Sequence, residues 1–340
     1  MIAPGSMLSP EFIEDLWYGK HPLSLLLAPV GWVYQFLMTL RHLGYSAGLL
    51  PVKRVAAPVI VVGNLTVGGT GKTPLVIWLA NYLKQNNYRP GIVTRGYGGV
   101  ATRWPQQVRA DSDPDMVGDE AVVIARRTGC PVATAPDRYA AAEGLLEHHK
   151  CNIIISDDGL QHYTLDRDLE LLVVDALRRY GNQRCLPAGP LRESLSRARH
   201  VDMVVCNGHP GRGEYQMAYE PGPVYALLDE NKYMDLETLK GTAVHAVAGI
   251  GHPARYFNML RVRGLGVIEH EFPDHHRFTP ADINFGDGLP VLMTEKDAVK
   301  CTHFAGKEHW YLALDVTMDH AFEHRFANLL KGIVDGQKTA

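Results

Sequence analysis

The chain has 340 residues, 46% hydrophobic and 21% charged, with a formal net charge of −3. That length suits two domains, and the composition is that of a globular rather than a disordered protein. A pI of about 6.6 gives no electrostatic case for a nucleic-acid partner, mean hydropathy of −0.12 excludes a polytopic membrane protein, and five cysteines without a CxxC pair point to reduced thiols in a cytosolic setting.

The first predicted element is apolar. From Leu23 to Leu40 the chain carries no formal charge, and Lys20 and Arg41 flank the run. It is borderline in length for a membrane span, and Pro29 interrupts it. Ser24, Ala28, Gly31, Gln35, Thr39 and His42 recur at helical spacing as a small, weakly polar stripe. Such a helix lies in the membrane interface with its stripe toward water or toward its own protein, and Trp32 and Tyr34 suit that level; the plain alternative is a buried helix of the core. Acidic Glu11, Glu14 and Asp15 precede the run, so it is not read as a cleaved signal peptide. Met1 to Ser6, ahead of a second methionine at Met7, are given no structural role.

Beyond residue 56 strands and helices alternate. Val59–Val62 reads as a buried strand, Lys72 to about Lys84 as a helix with Leu75, Leu79 and Leu83 on one face, and Gly91–Thr94 as a second strand. Helices are expected at 119–127 and 137–148, and strands at 131–135, 153–155, 171–174 and 201–206. Glycines and prolines cluster from Gly208 to Pro223 and suggest a boundary. Past it come strands at 244–248, 267–272, 291–293 and 311–314, and helices at 253–261 and about 319–334. The expected fold is α/β, a P-loop NTPase-type mostly parallel sheet with helices on both faces, plus a second, smaller α/β domain. The division predicted is a membrane-associated helical segment over 9–46, a P-loop domain over 47–222 and a smaller C-terminal α/β domain over 223–340.

The strongest local signal is Gly68-Gly69-Thr70-Gly71-Lys72-Thr73, directly after the first strand. Glycines let backbone N–H groups approach phosphate oxygens, and the helix starting at Lys72 turns its positive end to the same anion. Thr66, Gly68, Gly69, Thr70, Gly71, Lys72 and Thr73 are therefore the predicted nucleotide-binding residues, with Lys72 on the β- and γ-phosphates and the Thr73 hydroxyl on Mg²⁺. The pattern departs from G-x-x-x-x-G-K-[ST] at its first position, where Thr66 stands for glycine. Asp157 and Asp158 follow an apolar strand, where a P-loop protein carries its acidic metal anchor; the competing reading is an acidic turn.

Other features bear on the acceptor. Asp119 and Glu120 open a helix whose dipole favours them as anions, although simple capping gives the same pattern. Asp274-His275-His276-Arg277 places two histidines side by side. Arg95, Arg192 and Lys296 sit in predicted turns at strand ends and are binding candidates. Gly249-x-Gly251-x-x-Ala254 fits a dinucleotide fingerprint formally, but a tight strand-to-helix turn is the better reading of so short a pattern. A membrane-surface ATPase switch of the MinD or ParA type is the alternative function; its loop carries lysine where this chain has Val67.

These residues together resemble the tetraacyldisaccharide 4'-kinases, the lipid A 4'-kinases. The resemblance runs through Asn64–Pro74, Arg95-Gly96-Tyr97-Gly98, Gly118-Asp119-Glu120, Asp157–Gln161, Pro187–Glu193 and Thr294–Lys300, and covers nearly the whole chain from about residue 9. It implies an ATP- and Mg²⁺-dependent kinase of lipopolysaccharide biosynthesis, peripheral to the cytoplasmic face of a Gram-negative inner membrane through its N-terminal helix. The enzyme would phosphorylate the 4'-hydroxyl of a tetraacyl glucosamine disaccharide 1-phosphate, an anionic glycolipid. The resemblance implies Asp119 as general base with a histidine partner, taken as His275 with His276 the alternative, and Lys72 as the third catalytic group. Glu120, Asp157 and Asp158 would join Thr73 around metal and water, and Asn64, Arg95, Tyr97 and Arg192 would face the substrate. Closure between domains is expected to bring His275 to Asp119.

Overall fold

The computed structural model describes residues 10–338; the leader reading of Met1–Ser6 and the predicted start at residue 9 lie outside them. The N-terminal segment is three helices, α1 (Pro10–Tyr18), α2 (Leu23–Leu26) and α3 (Ala28–Ser46). Pro29 stands in the first turn of α3. A proline is tolerated there because that N–H has no helical partner, so the apolar run divides into two helices instead of kinking within one. No helix among the described residues is long and apolar enough to cross a membrane.

The alternating part begins with β1 (Val59–Gly63), α4 (Lys72–Gln85) and β2 (Pro90–Thr94). It continues through β3 (Gln106–Val108), α5 (Pro114–Val117), α6 (Asp119–Thr128), β4 (Val132–Thr134), α7 (Arg138–His149), β5 (Ile153–Asp157), β6 (Leu169–Asp175) and β7 (Met203–Asn207). Then come β8 (Tyr215–Ala226), β9 (Asp229–Met234), β10 (Ala243–Ala248), α8 (Pro253–Val262), β11 (Gly266–Glu271), α9 (Pro280–Ile283), β12 (Val291–Thr294), α10 (Glu295–Cys301), β13 (His309–Met318) and α11 (His320–Lys338). The expected helices and strands are present, with ends displaced by a few residues. Two elements in particular depart from expectation. The glycine- and proline-rich stretch holds strand β8, and the Thr294–Lys300 turn is the start of helix α10.

Internal contacts divide the chain into two units. One comprises the described residues up to Lys72, Ser156–Met217 and those from Met318 on. Its strands pair in parallel: β1 with β6, β6 with β7, and β7 with the start of β8. β1 and β6 are buried along their whole length, as continuous apolar strands of a parallel sheet should be. The second unit is 73–155 with 218–317. There β2 pairs in parallel with β4, and the short β3 closes that edge antiparallel. A further run places β11, β10, β12 and β13 side by side, all parallel, while the end of β8 forms an antiparallel ladder with β9. Phe257, Leu260, Leu292 and Leu312 centre one apolar cluster of this unit; Ile283, Met293 and Cys301 centre another. The architecture is α/β with mostly parallel pairing. All five cysteines are buried and free.

Candidate active site

The loop read as phosphate-binding follows β1 directly. Gly68 has φ +106°, a backbone state that side chains avoid, so glycine is required there. Thr66 needs no glycine: it forms an antiparallel bridge with Leu191, and the Val67 N–H donates to Pro190 O at 2.9 Å. The departure from the consensus thus moves the flexible position from residue 66 to 68. Lys72 opens α4, its Nζ 3.2 Å from Asn64 Oδ1 and 3.5 Å from Asp158 Oδ1. Asn64 is buried and donates to Gly68 O, while Asn207 donates to Thr70 O, so two amides brace the loop. Thr70 Oγ1 is buried without a hydrogen-bond partner among the described residues, which fits a loop made to meet an anion's oxygens.

Asp157 ends β5 and Asp158 follows with φ +47°. Asp158 is held by Arg192, whose Nη1 lies 3.1 and 3.0 Å from its two oxygens, as well as by Lys72. Gln161 Oε1 lies 3.5 Å from the same Nη1, and Gln161 Nε2 donates to Asn64 O at 3.1 Å. Arg192 therefore pairs with an acid that also meets Lys72, where the sequence suggested only a substrate contact. Among the described residues no three His, Cys, Asp or Glu side chains are gathered to hold a metal. The oxygen donors Thr73, Asp157 and Asp158 suit Mg²⁺, which uses one or two carboxylates and otherwise phosphates and water.

The second cluster belongs wholly to the other unit. Asp119 is the first residue of α6 and only 4% exposed. Its predecessor Gly118 has φ +93°, and a Cβ there would stand 2.7 Å from Tyr97 O. Glycine is thus fixed where the loop after β2 crosses the entry to α6. Asp119 Oδ1 accepts from the Glu120 N–H at 2.8 Å, and Oδ2 lies 3.0 Å from His275 Nδ1. His275 has φ +59°, and its ring lies 5.0 Å from that of Tyr97. His276 turns elsewhere, to Asp282 at 3.3 Å and the Phe272 ring, so of the two histidines it is His275 that meets Asp119. The pair is already formed in this structure.

Two lysines one helical turn apart on α10 complete the cluster. Lys300 Nζ is 3.7 Å from Asp119 Oδ2 and 2.8 Å from Asp297 Oδ1. Lys296 Nζ is 2.9 Å from Asp274 Oδ1, 3.2 Å from Glu120 Oε1 and 3.4 Å from His275 Nε2. Burial would push Asp119 up, but the His275 hydrogen bond and the charges of Lys296, His275 and Lys300 more than offset it, holding the carboxyl below its usual range. The Asp119 bond raises His275, against the opposing effects of burial and Lys296. Burial of Lys296 is overcome by Glu120, Asp119 and Asp274, which raise it above the usual lysine value. Arg95 and Tyr97 are exposed in the loop after β2. Glu120, expected near metal, meets the Lys296 ammonium. Sequence reasoning missed this network around α10; the signal was Thr294 with Asp297 three residues on, a helix cap followed by lysines four apart.

The dinucleotide reading of Gly249-x-Gly251-x-x-Ala254 finds its first N–H occupied. Gly249 N donates to buried Asp297 Oδ2 at 2.8 Å, so a carboxylate of the protein stands where a pyrophosphate would need the amide.

Residues 23–331 match the family model described as tetraacyldisaccharide-1-P 4'-kinase. The chain belongs to that family. Among curated relatives, the tetraacyldisaccharide 4'-kinase of Nitrosococcus oceani is 51% identical over 327 residues, covering 94% of this chain and 95% of that protein. The enzyme of the same name from Alkalilimnicola ehrlichii is 50% identical over 300 residues, covering 88% and 90%. A solved structure described as an "apo" form of LpxK from Aquifex aeolicus in complex with ATP superposes with a TM-score of 0.78 at 29% identity, over 92% of this chain and 99% of that one. Membership of this kinase family disfavours the MinD- or ParA-type switch.

Proposed function

We propose that the protein transfers the γ-phosphate of ATP to the 4'-hydroxyl of a tetraacyl glucosamine disaccharide 1-phosphate, and that Asp119 is the base. The observation that carries the residue assignment is the buried Asp119, ionised by its surroundings and hydrogen-bonded to His275. A sugar hydroxyl is a weak nucleophile, and phosphoryl transfer depends on alignment and charge neutralisation. As the hydroxyl oxygen bonds to phosphorus, Asp119 takes its proton, and ADP leaves with the electron pair of the broken P–O bond. His275 orients the carboxylate. Lys72 and the loop amides bind the transferring phosphates. Bound Mg²⁺, held by Thr73, Asp157 and Asp158, would neutralise phosphate charge. Arg95, Tyr97, Arg192 and Asn64 remain the assigned substrate contacts.

The protein is further proposed to sit on the cytoplasmic face of the inner membrane without spanning it. On α2 and α3, Leu25, Leu26, Val30, Trp32, Val33, Phe36, Leu37 and Leu40 are exposed. Ser24, Ala28 and Gly31 are buried on the opposite side, with Ser24 Oγ donating to Ala188 O at 2.9 Å. A folded helix leaving that much apolar surface outward suits an interfacial position. The activity is tested by supplying γ-labelled ATP with the tetraacyl disaccharide 1-phosphate. Label in the lipid at the 4'-position is expected; ATP turnover indifferent to the lipid refutes the reading.

A further inference from the structure

The ring of His275 is approached from both nitrogens by groups of fixed character. Nδ1 lies 3.0 Å from Asp119 Oδ2, and an ionised carboxylate can only accept. Nε2 lies 3.4 Å from Lys296 Nζ, and an ammonium can only donate. Asp274 Oδ1 stands farther off, 3.9 Å from Nε2, and is itself taken by Lys296. With that acceptor occupied, a proton on Nε2 points at a cation, while a lone pair there meets a donor. The remaining groups around the ring keep both partners in place. On α6, Glu120 Oε1 takes Lys296 at 3.2 Å; in the loop of His275 itself, Asp274 Oδ1 takes the same ammonium at 2.9 Å and the His275 N–H at 3.1 Å. On α10, Lys300 Nζ lies 3.7 Å from the same Asp119 Oδ2. The Tyr97 ring lies beside the imidazole, tilted 55° to it.

We infer that Lys296 is a positioning residue that fixes the hydrogen-bond polarity of His275, keeping its neutral ring as the Nδ1–H tautomer so that donors run from Lys296 through His275 to Asp119. The consequence is a division of labour. With Nε2 taken by Lys296 and Nδ1 donating, the imidazole has no lone pair left for the substrate, and proton acceptance falls to Asp119 alone. The lysine at Nε2 thereby helps to decide which of two adjacent basic groups acts as base. Glu120 and Asp274 hold that lysine. Which ring nitrogen carries the proton is commonly set by the bond the other one makes, and here the carboxylate at Nδ1 and the cation at Nε2 set it together.

The inference rests on Asp119 being the base, and the two are separable. The full-length protein is labelled at histidine nitrogens, and the His275 signals are identified by their loss in His275→Ala. On the alkaline side of its titration the ring is expected to show the Nδ1–H pattern. In Lys296→Met, which keeps the aliphatic bulk without a donor, that pattern gives way to a mixture. In the same variant kcat falls about ten- to a hundredfold with KM for ATP unchanged. Lys296→Gln, which retains an N–H donor, recovers the tautomer and part of the rate. An Nε2–H ring in the parent protein overturns the inference without any variant having to fold, as does an unchanged tautomer in Lys296→Met. Full turnover by Asp119→Asn would instead overturn the base assignment and leave the tautomer result standing.

Discussion

Replacing His275 by alanine removes the ring that lies 3.0 Å from Asp119 and touches Tyr97. The carboxylate stays buried, with Lys300 at 3.7 Å as its nearest remaining cation. A hydrogen bond to an ionised group contributes about 1.5–3 kcal/mol, and at about 1.4 kcal/mol per decade the expected loss of kcat is roughly ten- to a hundredfold. The variant should also shift its pH profile. His275 is the chief influence opposing burial at Asp119, so without it the Asp119 pKa rises and the acidic limb of kcat/KM moves to higher pH. Stability follows the same linkage. The lowered Asp119 contributes above its unfolded pKa of about 3.9, a contribution lost as pH falls through its folded value; the raised His275 contributes fully below about 6.5, lost as pH rises through its folded value. The Tm gap between parent and variant is therefore largest between about pH 4 and 6.5 and narrows at alkaline pH. Rates of label transfer and thermal melts from about pH 5 to pH 9 test both effects. Parent-like rates, or an acidic limb that does not move, would refute the reasoning.

Two further outcomes are expected. Gly118→Ala forces a Cβ to within 2.7 Å of Tyr97 O at φ +93°; the cost is about 1–3 kcal/mol, visible as a Tm lowered by several degrees, and an unchanged Tm contradicts the close approach. Replacing exposed Trp32 and Phe36 of α3 by serine removes about 1.5–3 kcal/mol of burial per side chain, so partition onto anionic phospholipid vesicles should drop at least about tenfold with KM for ATP unchanged. Undiminished vesicle binding would mean that another surface carries the attachment.

The sequence made the alternating elements readable because their strands are nearly unbroken apolar runs. Val59–Val62, Ile153–Ile155 and Leu171–Val174 have few alternatives to a buried parallel strand. Strand β8 escaped because Pro221, Gly222 and Pro223 interrupt it; its ladder to β7 uses Tyr215, Gln216 and Met217 and its ladder to β9 uses Val224, Tyr225 and Ala226, with the prolines between. Helix α10 escaped because it is short and charged, held by its Thr294 cap and by buried Asp297 rather than by a long apolar stripe. At the site, the phosphate loop was legible from local pattern; Asp119 alone read as well as a helix cap, its role came only from the family resemblance, and nothing local favoured His275 over His276. That choice depends on a turn with φ +59° aiming one ring at Asp119 and the next at Asp282. Lys296 acquires its role only when α10 is packed on α6, a contact between residues 176 apart in sequence.

The central claim is that Asp119 accepts the proton of the lipid hydroxyl. Asp119→Asn keeps the size of the side chain and one accepting oxygen while removing its charge and basicity. The measurement is single-turnover transfer from γ-labelled ATP to the tetraacyl disaccharide 1-phosphate, with ATP Kd determined in parallel. A fall of about 10²–10⁴-fold in the transfer step with an unchanged Kd is predicted; transfer at the parent rate would contradict it.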